Sequence, residues 1–243
     1  MHLMNENKSM WWKFKRWMFG ALVLVANRLF GKELTHRSRF VGWINQRWLA
    51  MVEIFSPARR RQSRFQRENP YAPWFVPAAI TYIERELRPE CIGFEWGCGR
   101  STLWFAQRAR HVTSVEGRRA WFEEVKSWLA KNDLADRVTL CLAEVTSEYD
   151  FAEAEIERYA SVIDGIADGS LDFIVVDGHF REACLHHVGN KLRPGGMLII
   201  DNSEVVPKAL LDALQTGRTR KWNNGIWETT IIHRNTNNAP RVT

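Results

Sequence analysis

The stretch Cys91–Thr102, C-I-G-F-E-W-G-C-G-R-S-T, constrains this chain more than any other. A short apolar run, Cys91–Phe94, reads as a buried strand that ends in an acid, Glu95. Gly97 and Gly99 follow; glycine takes backbone angles closed to other residues and lets a ligand approach the main chain. Ser101 or Thr102 caps a helix over 103–108, whose first N–H groups point at whatever lies in the turn. Strand, glycine turn and helix N-terminus in that order build a nucleotide-type binding site at the carboxyl end of a parallel strand.

The same alternation continues downstream. Strands are expected at His111–Val115, Val138–Ala143, Leu171–Val176, Met197–Ile200 and Trp227–His233. Between them, Arg118–Lys131 is amphipathic with Trp121, Phe122, Val125, Trp128 and Leu129 on one face, and Glu182–Leu192 and Val206–Leu214 read as helices. The segment Tyr149–Ile166 is helical or irregular. Alternating elements of this kind specify a parallel sheet covered by helices on both faces. Acids stand at successive strand ends: Glu95, Glu116, Glu144, Asp177 and Asp201. In a doubly wound sheet those ends share the edge where ligands bind.

A dinucleotide site is disfavoured. Its G-x-G-x-x-G pattern needs a glycine where Thr102 stands, and Glu95 would repel a pyrophosphate.

The runs E-W-G-C-G-R-S-T, V-T-S-V-E-G, D-F-I-V-V-D-G and P-G-G-M-L-I-I-D-N resemble the successive motifs of class I S-adenosylmethionine-dependent methyltransferases, over about 74–234. The resemblance implies a Rossmann-like seven-stranded sheet with an antiparallel last strand, and S-adenosylmethionine as cofactor. It implies that the first motif holds the methionine part of the cofactor through Glu95, Gly97 and Gly99, with Trp96, Ser101 and Thr102 in the same motif. Glu116, followed by Gly117, matches the acid that bonds the ribose hydroxyls, Glu144 the acid near the adenine, and Asp177 lies at the same edge. A carboxylate suits a ribose diol because both hydroxyls are donors.

Two arrangements for the chemistry stay open. Asp177 with Asp201 and Asn202 resembles the magnesium ligands of catechol-type and caffeoyl-type O-methyltransferases, hard oxygen donors suited to that ion. The chain departs from those enzymes after Asp177, reading Gly178-His179-Phe180-Arg181 without their lysine. The favoured arrangement is metal-free, with His179 as general base and Arg181 orienting an anionic substrate. The same two residues could instead only fix the loop after the fourth strand.

Charge divides the chain. Residues 1–70 carry a balance of +10 and the remainder −4, so the basic character belongs to an N-terminal arm, 1–70, ahead of a methyltransferase domain, 71–243. The apolar run Trp17–Ala26 is too short to span a bilayer. Trp11, Phe14, Met18, Leu22, Val25 and Leu29 line one helical face, and Phe40, Ile44, Trp48, Met51 and Phe55 another. Tryptophans ringed by basic residues over 10–67 suit first an anionic membrane surface, next a helical hairpin packed on its own domain or on a second copy in a homodimer, and last nucleic acid. Arg59, Arg60, Arg61, Arg64 and Arg67 read as a solvated linker or a phosphate-binding cluster.

Four cysteines without a C-x-x-C pair suggest neither zinc nor a disulfide framework and fit a reducing, cytoplasmic setting. The expectation is an enzyme that methylates a small-molecule, glycan or lipid-linked acceptor at oxygen and sits peripherally at the inner membrane face. A non-catalytic scaffold with the same fold and a nucleic-acid methyltransferase are the alternatives.

Overall fold

The computed structural model describes residues 57–146, 151–215 and 217–236. The two amphipathic faces expected between Trp11 and Phe55, with the membrane or homodimer contact assigned to them, lie outside the described residues. Among the described residues no helix is long and apolar enough to cross a membrane.

In chain order the elements are α1 Pro57–Glu68, α2 Pro77–Glu86, β1 Ile92–Trp96, α3 Arg100–Ala106, β2 His111–Glu116, α4 Arg119–Lys131, β3 Val138–Leu142, α5 Glu153–Ala160, β4 Leu171–Val176, α6 Arg181–His186, β5 Leu192–Asp201, α7 Lys208–Ala213, β6 Thr219–Asn223 and β7 Glu228–His233. The strands form a seven-stranded sheet in the order β3-β2-β1-β4-β5-β7-β6. Strands β1 to β5 are parallel; β7 runs antiparallel to both β5 and β6.

Period-2 alternation divides the apolar residues between the two faces. Phe94, Trp96, Ile174, Val176, Leu198 and Ile200 pack with Tyr159, Ile163 and Leu185 on one side. Phe173, Val175, Met197 and Ile199 pack with Phe75, Ile83 and Phe105 on the other. Strand β4 is buried along its whole length, as a central parallel strand covered on both faces must be.

Several elements differ from the sequence reading. Strand β6, T-R-K-W-N, carries no apolar alternation and so gave no signal; it is a polar edge strand, paired through its backbone to β7. The P-G-G turn expected before β5 lies within that strand, where Gly195 N donates to Arg234 O at 2.9 Å. Helix α6 stops at His186, and Ser161–Gly165 after α5 is a short 3₁₀ turn.

The arginine run expected as a linker is helix α1. The compact unit that holds the sheet begins at Arg61, ahead of the boundary expected at 70. Gln62 and Gln66 are the buried residues of this helix. Gln62 Nε2 donates to Phe75 O at 3.4 Å, Gln66 Nε2 donates to Pro73 O at 2.8 Å, and Gln62 Oε1 accepts from Asn224 Nδ2 at 3.1 Å. A helix docked through amides leaves little trace in an apolar pattern.

Candidate active site

Strand order reverses direction at β1, whose neighbours are β2 and β4, so the loops that leave β1 and β4 open a crevice at the carboxyl edge. Gly97 N donates to Val115 O at 2.9 Å, tying the loop after β1 to β2, and Asp177 N donates to Trp96 O at 3.0 Å, tying the end of β1 to the loop after β4. Gly97 has φ 96°, and a Cβ there would stand 2.6 Å from Gly178 Cα. Gly99 differs. Its φ of 173° is ordinary extended backbone, and a Cβ would meet nothing nearer than Trp121 at 3.9 Å. The special angles expected of both glycines are required of Gly97 alone; at Gly99 the missing side chain leaves open space.

Glu95 is fully buried beneath the turn. Its carboxylate accepts from Ser101 Oγ, from Thr102 Oγ1 at 2.5 Å and from Ser114 Oγ at 2.7 Å. Thr102 Oγ1 also accepts from Gly99 N at 2.9 Å, tying the helix start back to the turn. Burial pushes the Glu95 carboxyl up to about 7, against the pull of the three hydroxyl donors. Glu95 and Thr102 therefore brace the turn from below, while Ser101 reaches the crevice wall.

Glu116 is buried and lines the crevice. Its Oε1 accepts from Gly117 N at 2.9 Å and Arg118 N at 2.8 Å, which fixes the carboxylate. Its Oε2 meets the Cys98 thiol at 3.6 Å, a weak donor, and retains capacity for stronger ones. Burial and the Glu116 charge push the Cys98 thiol far up, so it stays protonated.

On the opposite wall, Arg181 Nη2 donates to Asp177 O, Asp177 Oδ1 and Asn202 Oδ1, each at 3.0 Å. Asp201 is buried next to this group, and its Oδ1 accepts from Thr229 Oγ1 at 2.7 Å. Burial raises both Asp177 and Asp201; Arg181 opposes the rise at Asp177, and the charge of Asp177 adds to it at Asp201. Phe180 and Asn202 hold left-handed backbone, φ 54° and 51°, so two non-glycine residues in a sparsely populated region flank the arginine. The His179 ring packs edge-on against Tyr159 and Phe151.

One crevice of about 740 Å³ gathers Gly97, Gly99, Ser101, Glu116, Asp177, His179 and Arg181. It does not gather the others. Trp96 is buried in the core, donating from Nε1 to Tyr159 O at 3.2 Å. Gly117 packs close to Val145. Glu144, matched to the adenine acid, lies on the surface, paired with Arg119 at 2.6 Å. The sequence reading missed Trp74, Cys98, Arg118, Trp121 and Trp128 as wall residues. The spacing of Trp121 and Trp128 put them on the apolar face of α4; Val125 and Leu129 take the core, and the two tryptophans, edge to face at 5.2 Å, wall the crevice.

Residues 94–203 match the model of a family described as a methyltransferase domain. No curated protein matches the chain. Among solved structures, it is similar to an S-adenosylmethionine-dependent O-methyltransferase from Thermotoga maritima, 14% identical over 70% of each chain, with a TM-score of 0.52. It is also similar to a methyltransferase-like protein from Silicibacter pomeroyi, at 24% identity, 65% of this chain, 87% of the other and a TM-score of 0.49. A methyltransferase from Geobacter sulfurreducens matches at 17% identity, 78% and 96% coverage and a TM-score of 0.49.

Proposed function

We propose that the chain is a class I S-adenosylmethionine-dependent methyltransferase, as its match to a methyltransferase-domain family over residues 94–203 supports, and that it methylates a hydroxyl of a small-molecule, glycan or lipid-linked acceptor. The observation that carries this reading is the single crevice in which the glycine turn and Glu116 face Asp177, His179 and Arg181. Its volume, 740 Å³, suits a cofactor with a small acceptor beside it.

When bound, the cofactor supplies a methyl group on a sulfonium, an electrophile that needs a nucleophile in line. In this reading Glu116, held by two backbone N–H groups, accepts the ribose hydroxyls on Oε2. The open side of Gly99 admits the methionine part against the main chain. His179 takes the proton that the acceptor hydroxyl loses as its oxygen gains the methyl. Arg181 places an anionic group of the acceptor so that the hydroxyl faces the methyl. The basic arm, 1–70, holds the enzyme at an anionic membrane surface.

The first test is calorimetric titration with S-adenosylmethionine, wild type against Glu116→Gln. Loss of charge-assisted bonds of about 1.5–3 kcal/mol should weaken binding roughly ten- to hundredfold. With acceptors then screened for turnover, His179→Ala should lower kcat and leave the cofactor Kd unchanged. Unaltered cofactor binding in Glu116→Gln, or unaltered kcat in His179→Ala, would remove the corresponding role.

A further inference from the structure

Three oxygens from two strand ends converge on one nitrogen. Asp177 O and Oδ1, just past β4, and Asn202 Oδ1, just past β5, each lie 3.0 Å from Arg181 Nη2. Asp201, buried at the end of β5 next to Asn202 with its Oδ1 accepting from Thr229 Oγ1 at 2.7 Å, brings a second carboxylate to the same strand end. Carboxylate, amide and carbonyl oxygens around one positive centre form the donor set of a hard divalent cation. Here the centre is a guanidinium supplied four residues further along the same chain. The left-handed backbone at Phe180 turns the chain ahead of Arg181, and that at Asn202 sets the position of its amide.

We propose that the Asp177–Asn202 oxygens are a cation seat filled by the chain's own Arg181, which keeps divalent ions out and presents the acceptor with a guanidinium instead of a metal. The oxygens offered by the sequence to magnesium thus do not fit a free ion while the arginine is in place. The consequence for the acceptor rests on the methyl-transfer reading above. A metal would favour a chelating vicinal diol, whereas the planar fork of a guanidinium favours a carboxylate or phosphate beside the reacting hydroxyl.

The test reads cation binding and needs no turnover, so its failure is distinct from failure of the methyl-transfer reading. Mn²⁺ is titrated into the full chain and the free-ion electron paramagnetic resonance signal is followed. Wild type should leave the signal as in buffer. Arg181→Ala, confirmed as folded by its circular dichroism and a cooperative thermal unfolding transition, should take up one equivalent, and Arg181→Ala with Asp177→Asn should take up none. Arg181→Ser serves if the alanine variant does not fold. Uptake by wild type that Asp177→Asn abolishes would overturn the proposal. So would a folded Arg181 variant that takes up no Mn²⁺, since the oxygens would then be no cation seat.

Discussion

Gly97 and Gly99 stand in one short motif yet answer to different constraints. At Gly97 the positive φ and the approach of Gly178 leave no place for a Cβ, and the contact is backbone to backbone, with nothing flexible to yield. Gly97→Ala should therefore lose roughly 1–3 kcal/mol of stability, a drop of several degrees in Tm by calorimetry. Gly99→Ala should keep the wild-type Tm, because its backbone is extended and its surroundings are open. Its effect should appear on the ligand instead, as weaker S-adenosylmethionine binding by about tenfold, or ~1.4 kcal/mol. Equal losses of stability in the two variants would show that both glycines serve the fold alone.

At the scale of elements, β1, β2 and α3 are joined through one buried carboxylate. Glu95 on β1 takes hydroxyl donors from Ser101 and Thr102 on α3 and from Ser114 on β2. Its carboxyl titrates near 4.5 when unfolded and near 7 in the folded chain, because burial penalises the charge. The folded state thus holds a proton through that window that the unfolded chain has released. The stabilisation is complete below about pH 4.5 and lost as pH rises through 7, by about 3 kcal/mol in all, on the linkage between pKa shift and stability. Glu95→Gln, neutral throughout, should flatten the fall in stability between those pH values, measured by urea unfolding across the range. A slope unchanged in the variant would place its origin in another group.

For the molecule as a whole, helix α1 decides where the chain can be cut. Removing residues 1–56 leaves α1 in place, with Gln62 and Gln66 bonded to Pro73, Phe75 and Asn224. On the membrane role proposed for the arm, that truncation should lose binding to anionic vesicles while keeping S-adenosylmethionine affinity. Removing residues 1–68 instead leaves the carbonyls of Pro73 and Phe75 without these donors. It should lower stability by about 1–3 kcal/mol, read as a fall in Tm. A longer truncation as stable as the shorter would mean that α1 adds nothing to the sheet.

What the sequence determined by itself is local and periodic. The strand, glycine turn and helix at Cys91–Thr102, the acids at strand ends and the buried run of β4 follow from residue type and spacing, because a parallel strand covered on both faces must be apolar throughout. The tertiary structure alone decided the long-range pairings. Nothing in the spacing told Glu95, turned inward to hydroxyls, from Glu116, whose carboxylate lines the crevice. Nor could spacing place Arg181 on the oxygens of two different strands, dock α1 through two glutamines, or pair the polar edge strand β6. Those outcomes depend on which groups the folded sheet brings within hydrogen-bond distance, and that is a property of the closed chain, not of any one segment.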